Sequence, residues 1–349
     1  MATAAPYRVQ LRFRDGVERS IAVAAHESVL DAALAQSAPV LFQCRSGACA
    51  SCTAQLTEGT AAMRRAAASV LLRSEAEAGL RLLCQTEAQG DCSFALDYDS
   101  TASGGGPVRV KAFVDAVERV AADVARLRLE LADGDWFDFR PGQFVRLRVP
   151  GTDVARRYSI ASAPAELPVV ELLVRLLPGG VMSDWLEQRA RPDDVVELEA
   201  AFGNYFLREH VRAPHLMIAG GTGLAPMMAM LDVIRAKPGR KPPVVLSFGC
   251  ATEAGLFHRD ALDLRALWMP GLEVRISCDG GAANGVRTGN PVEAIVAADT
   301  TDPDTIAYVC GPPGLVDAAY QHLTGLGVAA ANIHAEQFVA TDEGSDAWG

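Results

Sequence analysis

Hydrophobic and polar positions follow three different rhythms along the 349 residues. The first stretch, Tyr7-Arg8-Val9-Gln10-Leu11-Arg12-Phe13-Arg14, alternates strictly and runs into Asp15-Gly16, which predicts a strand and a hairpin turn. The middle stretch is strand-rich. Val108–Val114, Ala125–Leu131, Gln143–Val149, Val169–Leu176 and Val195–Ala200 alternate or are β-branched, and a helix is expected over Gly180–Gln188. From His215 onward short apolar strands (His215–Ala219, Val244–Phe248, Glu273–Ser277, Ile306–Val309) alternate with helical runs (Ala225–Ala236, Arg259–Leu267, Gly314–Gly325). Strand–helix alternation of this kind implies a parallel α/β sheet.

These rhythms set the expected domains. Asp97 to Pro107 is polar, then Gly-rich, then Pro, which is linker composition. A second boundary is expected in the charged stretch Arg208–Pro214. The division is therefore 1–98, a linker over 99–107, 108–208, 213–340, and a tail over 341–349, where Asp342, Glu343 and Asp346 suggest disorder. Hydrophobic residues make up 50% and charged residues 21%, enough for each piece to bury a core. The net charge of −11 argues against nucleic acid as a partner. No run approaches the ~18 uncharged apolar residues of a membrane span. The N-terminal residues do not read as a secretory signal, so a cytoplasmic protein is expected. Disulfides are disfavoured there, which leaves eight cysteines in need of another role.

Cys44, Cys49 and Cys52 form C-x4-C-x2-C, with Cys84 further on in Leu83-Cys84-Gln85. That spacing fits a plant-type [2Fe–2S] cluster, in which three thiolates come from one tight loop and the fourth from afar. Gly47, Ala48, Ala50 and Ser51 are small enough for backbone N–H groups to point at the cluster sulfurs. Zinc knuckles usually show paired C-x2–4-C ligands, and there is one such pair here. Cys92 is a rival fourth ligand to Cys84.

Arg156-Arg157-Tyr158-Ser159-Ile160 puts a guanidinium two residues before an aromatic, which suits a phosphate-bearing ligand with a flat ring. By itself it reads as well as an exposed basic turn. Gly179-Gly180-Val181-Met182-Ser183 opens the predicted helix, whose first amides can hold an anion or be merely capped. Gly220-Gly221-Thr222-Gly223-Leu224-Ala225-Pro226 is a Gly-rich turn between strand and helix, suited to a diphosphate or to tight packing. Cys310-Gly311-Pro312-Pro313 follows a strand, at the end where α/β sheets bind ligands. After Val244–Phe248 the loop Gly249-Cys250-Ala251-Thr252-Glu253-Ala254 carries an acid and no Arg. That favours NADH over NADPH, with Glu253 a candidate for the ribose 2′-OH. Cys250 and Cys278 match no ligand spacing and read as structural, as do the six scattered histidines.

Residues 1–98 resemble a plant-type ferredoxin, through CRSGACASC and LLCQ, with Ala50 where that loop often has Gly. R-x-Y-S followed by G-x-x-S, Pro141-Gly142-Gln143 and the G-G-x-G-x-x-P turn resemble the ferredoxin–NADP reductase superfamily. Over nearly the whole chain, the order of ferredoxin, flavin and nicotinamide segments resembles the reductase components of bacterial aromatic-ring-hydroxylating dioxygenases, of the benzoate or anthranilate type. The resemblance implies a β-grasp-like [2Fe–2S] domain, an antiparallel β-barrel for FAD and a parallel α/β domain for the nicotinamide.

It also implies residue roles. Arg156 is expected at the flavin diphosphate, Tyr158 against the ring, and Ser159, with Ile160 after it, at the N5 edge. Val174 and Arg175 are expected to flank the flavin. Gly180, Val181, Met182 and Ser183 are expected at the diphosphate. Gly221, Thr222, Gly223, Pro226, Gly311 and Pro312 are expected around the nicotinamide dinucleotide, with Cys310 beside the nicotinamide. Glu336 and Phe338, in Glu336-Gln337-Phe338, are expected near flavin N5 and the ring face. The implied path runs from NADH to FAD to the cluster to a terminal oxygenase, in a monomeric protein with no nucleic-acid or membrane partner. A soluble di-iron monooxygenase is the alternative acceptor, and a non-enzymatic redox sensor the alternative class.

Overall fold

The computed structural model describes residues 5–42, 45, 47, 51–64, 71, 73–103, 108–208, 212–280 and 285–338. Two compact units emerge: Met1–Val108 with Phe202–Asn204, and Arg109–Ala201 with Tyr205–Gly349. Among the described residues no helix is long and apolar enough to cross a membrane.

In the first unit the expected opening strand is β1 (Tyr7–Phe13), which buries Val9, Leu11 and Phe13 on one face. It turns at Asp15-Gly16 into β2 (Glu18–Val23), to which it pairs antiparallel. Helix α1 (Val29–Ala35) starts at Ser28, whose hydroxyl accepts the Asp31 N–H at 3.0 Å. Then come β3 (Thr53–Glu58), β4 (Ala61–Met63), α2 (Arg73–Glu77), β5 (Leu80–Leu82), β6 (Thr86–Ala88) and β7 (Cys92–Leu96). The main sheet runs β2-β1-β7-β3-β5, with β1 and β7 parallel, while β4 and β6 form a separate ribbon. The expected linker is partly built into this unit. Asp99 takes the Arg14 guanidinium at 3.0 Å, and the Ser100 hydroxyl donates to Asp15 at 2.7 Å, so the chain is anchored at least to Ser100. The Gly-rich stretch 104–107 lies outside the described residues, as does the tail 341–349.

The second unit opens with the barrel: β8 (Val108–Ala121), β9 (Val124–Leu131), β10 (Phe144–Arg148), β11 (Ala155–Ser159), β12 (Val169–Arg175), α3 (Val181–Gln188) and β13 (Val195–Phe202). The sheet order is β11-β10-β13-β8-β9-β12, and the bridge Ile160–Leu172 joins its two ends, closing the edges. Inward positions such as Ala112, Val114, Leu127, Leu129, Val145 and Leu147 fill the core. Met182, Trp185 and Leu186, on one face of α3, add to it.

The remaining elements are β14 (His215–Gly220), α4 (Leu224–Ala236), β15 (Val244–Cys250), α5 (Arg259–Trp268), β16 (Leu272–Cys278), β17 (Arg287–Thr288), β18 (Ile306–Gly311), α6 (Pro313–Gly325) and β19 (Ile333–Gln337). They form a parallel sheet, β17-β16-β15-β14-β18-β19. The two central strands β14 and β18 are buried at every position, as strands covered on both faces must be. Strand order reverses between them, and that reversal opens a ligand crevice at their C-terminal ends. The expected strands and helices are all present, most of them longer by one or two residues. The runs expected at Tyr7–Arg14, Gln143–Val149, Val169–Leu176 and Gly180–Gln188 are one or two residues shorter, and β8 runs seven residues beyond Val114 because it forms one arm of the long β8–β9 hairpin.

Candidate functional site

Pairing of β3 with β5 sets Thr53 opposite Leu82, so the residues just outside both strands, Cys52 and Cys84, meet at one end of the sheet. The Leu83 N–H donates to the Cys52 carbonyl at 2.9 Å, and the Cys84 N–H points at Cys52 Sγ at 3.5 Å. Gln85 Nε2 lies 3.8 Å from Cys84 Sγ. Both thiols are buried. The neighbouring Ser51 hydroxyl is buried too, with no hydrogen-bond partner among the described residues. Amide donors aimed at sulfur and an orphaned hydroxyl fit a sulfur-rich inorganic cluster. Cys92 sits elsewhere. It lies against Gly59, beyond the far end of β3, and burial pushes its thiol up to about 11. This favours Cys84 over Cys92. Cys44 and Cys49 lie outside the described residues.

In the second unit, β18 pairs with β19 in a register that puts Cys310 beside Glu336. The Ser159 hydroxyl, at the end of β11, donates to Glu336 Oε2 at 3.0 Å, across 177 residues of sequence. Cys310 Sγ lies 4.0 Å from the same oxygen. Desolvation pushes the Glu336 carboxyl up to about 7, partly offset by the Ser159 hydrogen bond. Burial and Glu336 hold the Cys310 thiol well above its ordinary value, so it stays protonated. Phe338 follows at the mouth, 36% exposed, its N–H donating to the Gly311 carbonyl at 3.0 Å. The residues expected at the reacting end of the flavin, on three different elements, thus converge.

The other expected positions divide. Arg156 and Tyr158 share one face of β11 and are half-buried. Val181 is 38% exposed at the start of α3, where the first amides have no helical acceptor. These groups fit a flat ring with a diphosphate. Val174 and Met182, by contrast, point into the barrel core, so their side chains pack and only their backbone is left for a ligand. Ile160 is likewise fully buried in that core. The Ser183 hydroxyl accepts the Leu177 N–H at 2.8 Å, which shapes the turn around Gly180. Arg175 is exposed and pairs with Asp123 at 3.4 Å.

At the Gly-rich turn the glycines have different reasons. A Cβ on Gly223 would stand 2.1 Å from the Cys310 carbonyl oxygen, so this glycine lets two loops interlock. Gly221 has φ +55° and open space where a Cβ would be, which fits close approach of a diphosphate. Thr222 continues that turn, and Pro226 is buried in the first turn of α4. Pro312 precedes α6 and packs on Gly220. Glu253 is exposed in the 3₁₀ turn Glu253–Gly255.

Sequence reasoning missed three features. The Tyr205 hydroxyl lies 3.8 Å from Met227 Sδ, and burial holds it well above its ordinary pKa. The Phe206 ring is covered by two guanidinium groups, Arg140 at 4.7 Å and Arg208 at 4.0 Å. The Ala122 N–H, in the β8–β9 hairpin, donates to the Ala254 carbonyl at 3.0 Å. The sequence signal for 205–206 is that Phe202-Gly203-Asn204-Tyr205-Phe206 resembles the G-x-F-G segment of the ferredoxin–NADP reductase superfamily, with Ala201 where Pro is usual, and that motif says nothing of these contacts.

Each of the three expected segments matches a known domain. Residues 13–89 match the 2Fe-2S iron-sulfur cluster binding domain, 111–206 the oxidoreductase FAD-binding domain, and 217–321 the oxidoreductase NAD-binding domain. The chain is 32% identical to the toluate 1,2-dioxygenase electron transfer component of Pseudomonas putida, over 96% of this chain and 99% of that protein. It is 31% identical to the propane 2-monooxygenase reductase component of Mycolicibacterium smegmatis, over 88% and 91%. A crystal structure of an Amycolatopsis cytochrome P450 reductase superimposes with a TM-score of 0.72 at 28% identity, covering 96% and 99%. The chain belongs to the family of electron transfer components that join a [2Fe–2S] ferredoxin domain to FAD- and NAD-binding oxidoreductase domains.

Proposed function

We propose that this protein passes electrons from NADH, through FAD and the [2Fe–2S] cluster, to the terminal oxygenase of an aromatic-ring dioxygenase system. The observation that carries the oxidoreductase chemistry is the meeting of Ser159, Cys310 and Glu336 at the strand ends of two sheets. When bound, the flavin supplies the exchange between two-electron hydride transfer and one-electron transfer. The chain's own residues do the rest. Arg156 and the first amides of α3 hold the diphosphate, and Tyr158 covers the ring. Ser159 Oγ offers a hydrogen bond at the ring edge and is oriented by Glu336 Oε2. Cys310, kept as a thiol, presents an uncharged, polarisable surface to the nicotinamide. Phe338 at the mouth shields the ring from water. Cys44, Cys49, Cys52 and Cys84 ligate the cluster.

The preference for NADH rests on the loop Cys250–Gly255, which holds Glu253 and no Lys or Arg. A carboxylate accepts a bond from a ribose 2′-OH and repels a 2′-phosphate. A higher kcat/KM with NADPH than with NADH would refute it. The aromatic-ring acceptor is supported by the toluate dioxygenase relative; the propane monooxygenase relative supports a di-iron monooxygenase as the second reading. Mixing the holoprotein with purified oxygenases of both kinds and measuring product decides between them. Thiolate ligation calls for a reducing compartment, which supports a cytoplasmic setting. The protein is read as a monomer, which sedimentation of the holoprotein tests.

A further inference from the structure

The proposed hydride site leaves the motif Pro141-Gly142-Gln143 without a role. The motif forms a buried turn at the entry to β10, closed by the Gln143 N–H donating to the Arg140 carbonyl at 3.0 Å. Gly142 stands there at φ +111°, and a Cβ on it would lie 2.7 Å from the Tyr205 carbonyl oxygen, 2.8 Å from Phe206 Cα and 2.6 Å from Met230 Cε. The Met230 methyl can swing aside, but the other two are backbone atoms. The turn therefore rests directly on the segment 205–207, which lies between β13 and β14 in the chain, and the Leu207 N–H donates to the Pro141 carbonyl at 2.9 Å. Both sides of this contact lead to the hydride site. On the barrel side the Gln143 carbonyl accepts the Ile160 N–H at 3.0 Å, and the neighbouring pair is Phe144 with Ser159. On the other side Tyr205 and Leu207 share a core with Met227 and Met230 of α4. The Tyr205 ring meets Tyr308 edge-on at 6.3 Å, and the Tyr308 hydroxyl accepts the Arg208 N–H at 2.9 Å. Tyr308 stands two residues before Cys310 on β18.

We propose that Gly142 is a positioning residue for hydride transfer: its missing side chain lets the barrel turn close on the segment 205–207 and so sets how near Ser159 stands to Cys310 and Glu336. The proposal rests on the reading of those three residues as the hydride site. A methyl group at 142 would force the turn and the segment apart, and a close-packed interior transmits such a displacement rather than absorbing it. Ser159 would move with β10 and β11, while Cys310 and Glu336 would move with β18 and β19. Gly151, just past the other end of β10, also has a left-handed φ, +78°, but nothing lies within 4 Å of where its Cβ would be. A side chain there brings the backbone strain without the close approach.

The test compares Gly142→Ala with Gly151→Ala, both prepared as holoprotein, with flavin and cluster absorbance confirming the fold. Gly142→Ala is expected to slow flavin reduction at saturating NADH about tenfold, with the Kd for NAD⁺ and the transfer from reduced flavin to the cluster within about twofold of wild type. Gly151→Ala is expected within about twofold of wild type on all three. Tyr205→Leu, which loosens the segment with no clash at the turn, is expected to show the same selective slowing at about threefold. It decides the question where Gly142→Ala yields no holoprotein, and an unchanged rate in it then overturns the proposal. Unchanged flavin reduction in Gly142→Ala overturns it too, as does an equal loss in Gly151→Ala, which would mark backbone strain. A raised Kd with the rate unchanged also overturns it, by moving the effect to dinucleotide binding. Failure of NADH to reduce the wild-type flavin would overturn the hydride-site reading itself, a separate and recognisable outcome.

Discussion

In the first unit the two described cysteines expected at the cluster stand 32 residues apart, on the ends of neighbouring strands, and a backbone N–H of one already points at the sulfur of the other. In the second unit Ser159 and Glu336 meet across 177 residues, brought together by a closed antiparallel barrel and a parallel sheet. The contrast follows from what each site must hold. A cluster of two metal ions is small, so three of its four ligands fit in one loop and their spacing is written locally. A hydride site must hold two large cofactors face to face. It is therefore built from the ends of many elements, each contributing one group.

The comparison has consequences that can be broken experimentally. The largest effect is expected from Cys52→Ser or Cys84→Ser. Each should lower transfer to one-electron protein acceptors by about 100-fold or more, while reduction of FAD by NADH stays near wild type. Cys92→Ser should leave the cluster spectrum unchanged. Loss of both steps in Cys84→Ser would show that the two sites are not separable. Next comes Ser159→Ala, expected to slow flavin reduction by about 10- to 100-fold, with little change in transfer from reduced flavin to the cluster. Stopped-flow measurement of the two phases separates them.

A smaller effect is expected from pH. Glu336 titrates at about 7, and above that its carboxylate places negative charge where negative charge arrives with the hydride. The rate of flavin reduction should fall as pH rises through 7, and Glu336→Gln should flatten the profile. The smallest effect concerns stability. The Glu336 carboxyl is raised in the folded protein from an ordinary value of 4.5. The protonated group stabilises the fold below the unfolded value, and that contribution is lost as pH rises through the folded one. Between about pH 4.5 and 7 the denaturation midpoint of cofactor-stripped protein should fall relative to that of Glu336→Gln, a difference that sets aside the opposite contributions of the buried His215 and His258.

Much of the fold was legible because each rhythm has one simple cause. Alternation along Tyr7–Phe13 marks a sheet with one buried face, and the unbroken apolar run of β14 marks one buried on both. The cluster cysteines were legible for the same local reason. The hydride site was legible only through its short motifs, and there side-chain direction was lost. Val174 and Met182 carry the pattern yet point into the core, because a motif records backbone position and not which face a side chain takes. The pairing of Gly220 with Gly249 was invisible, since it depends on the register of β14 and β15, and register is a property of pairing rather than of any one strand.

The central claim is that one chain carries electrons from NADH through a flavin to a [2Fe–2S] cluster. Anaerobic titration of the holoprotein with NADH, followed by absorption, tests it most directly. The expected result is bleaching of both the flavin and the cluster bands, with the cluster bands unchanged in Cys84→Ser. A flavin that bleaches while the wild-type cluster stays oxidised, or a flavin that NADH does not reduce, would contradict the account.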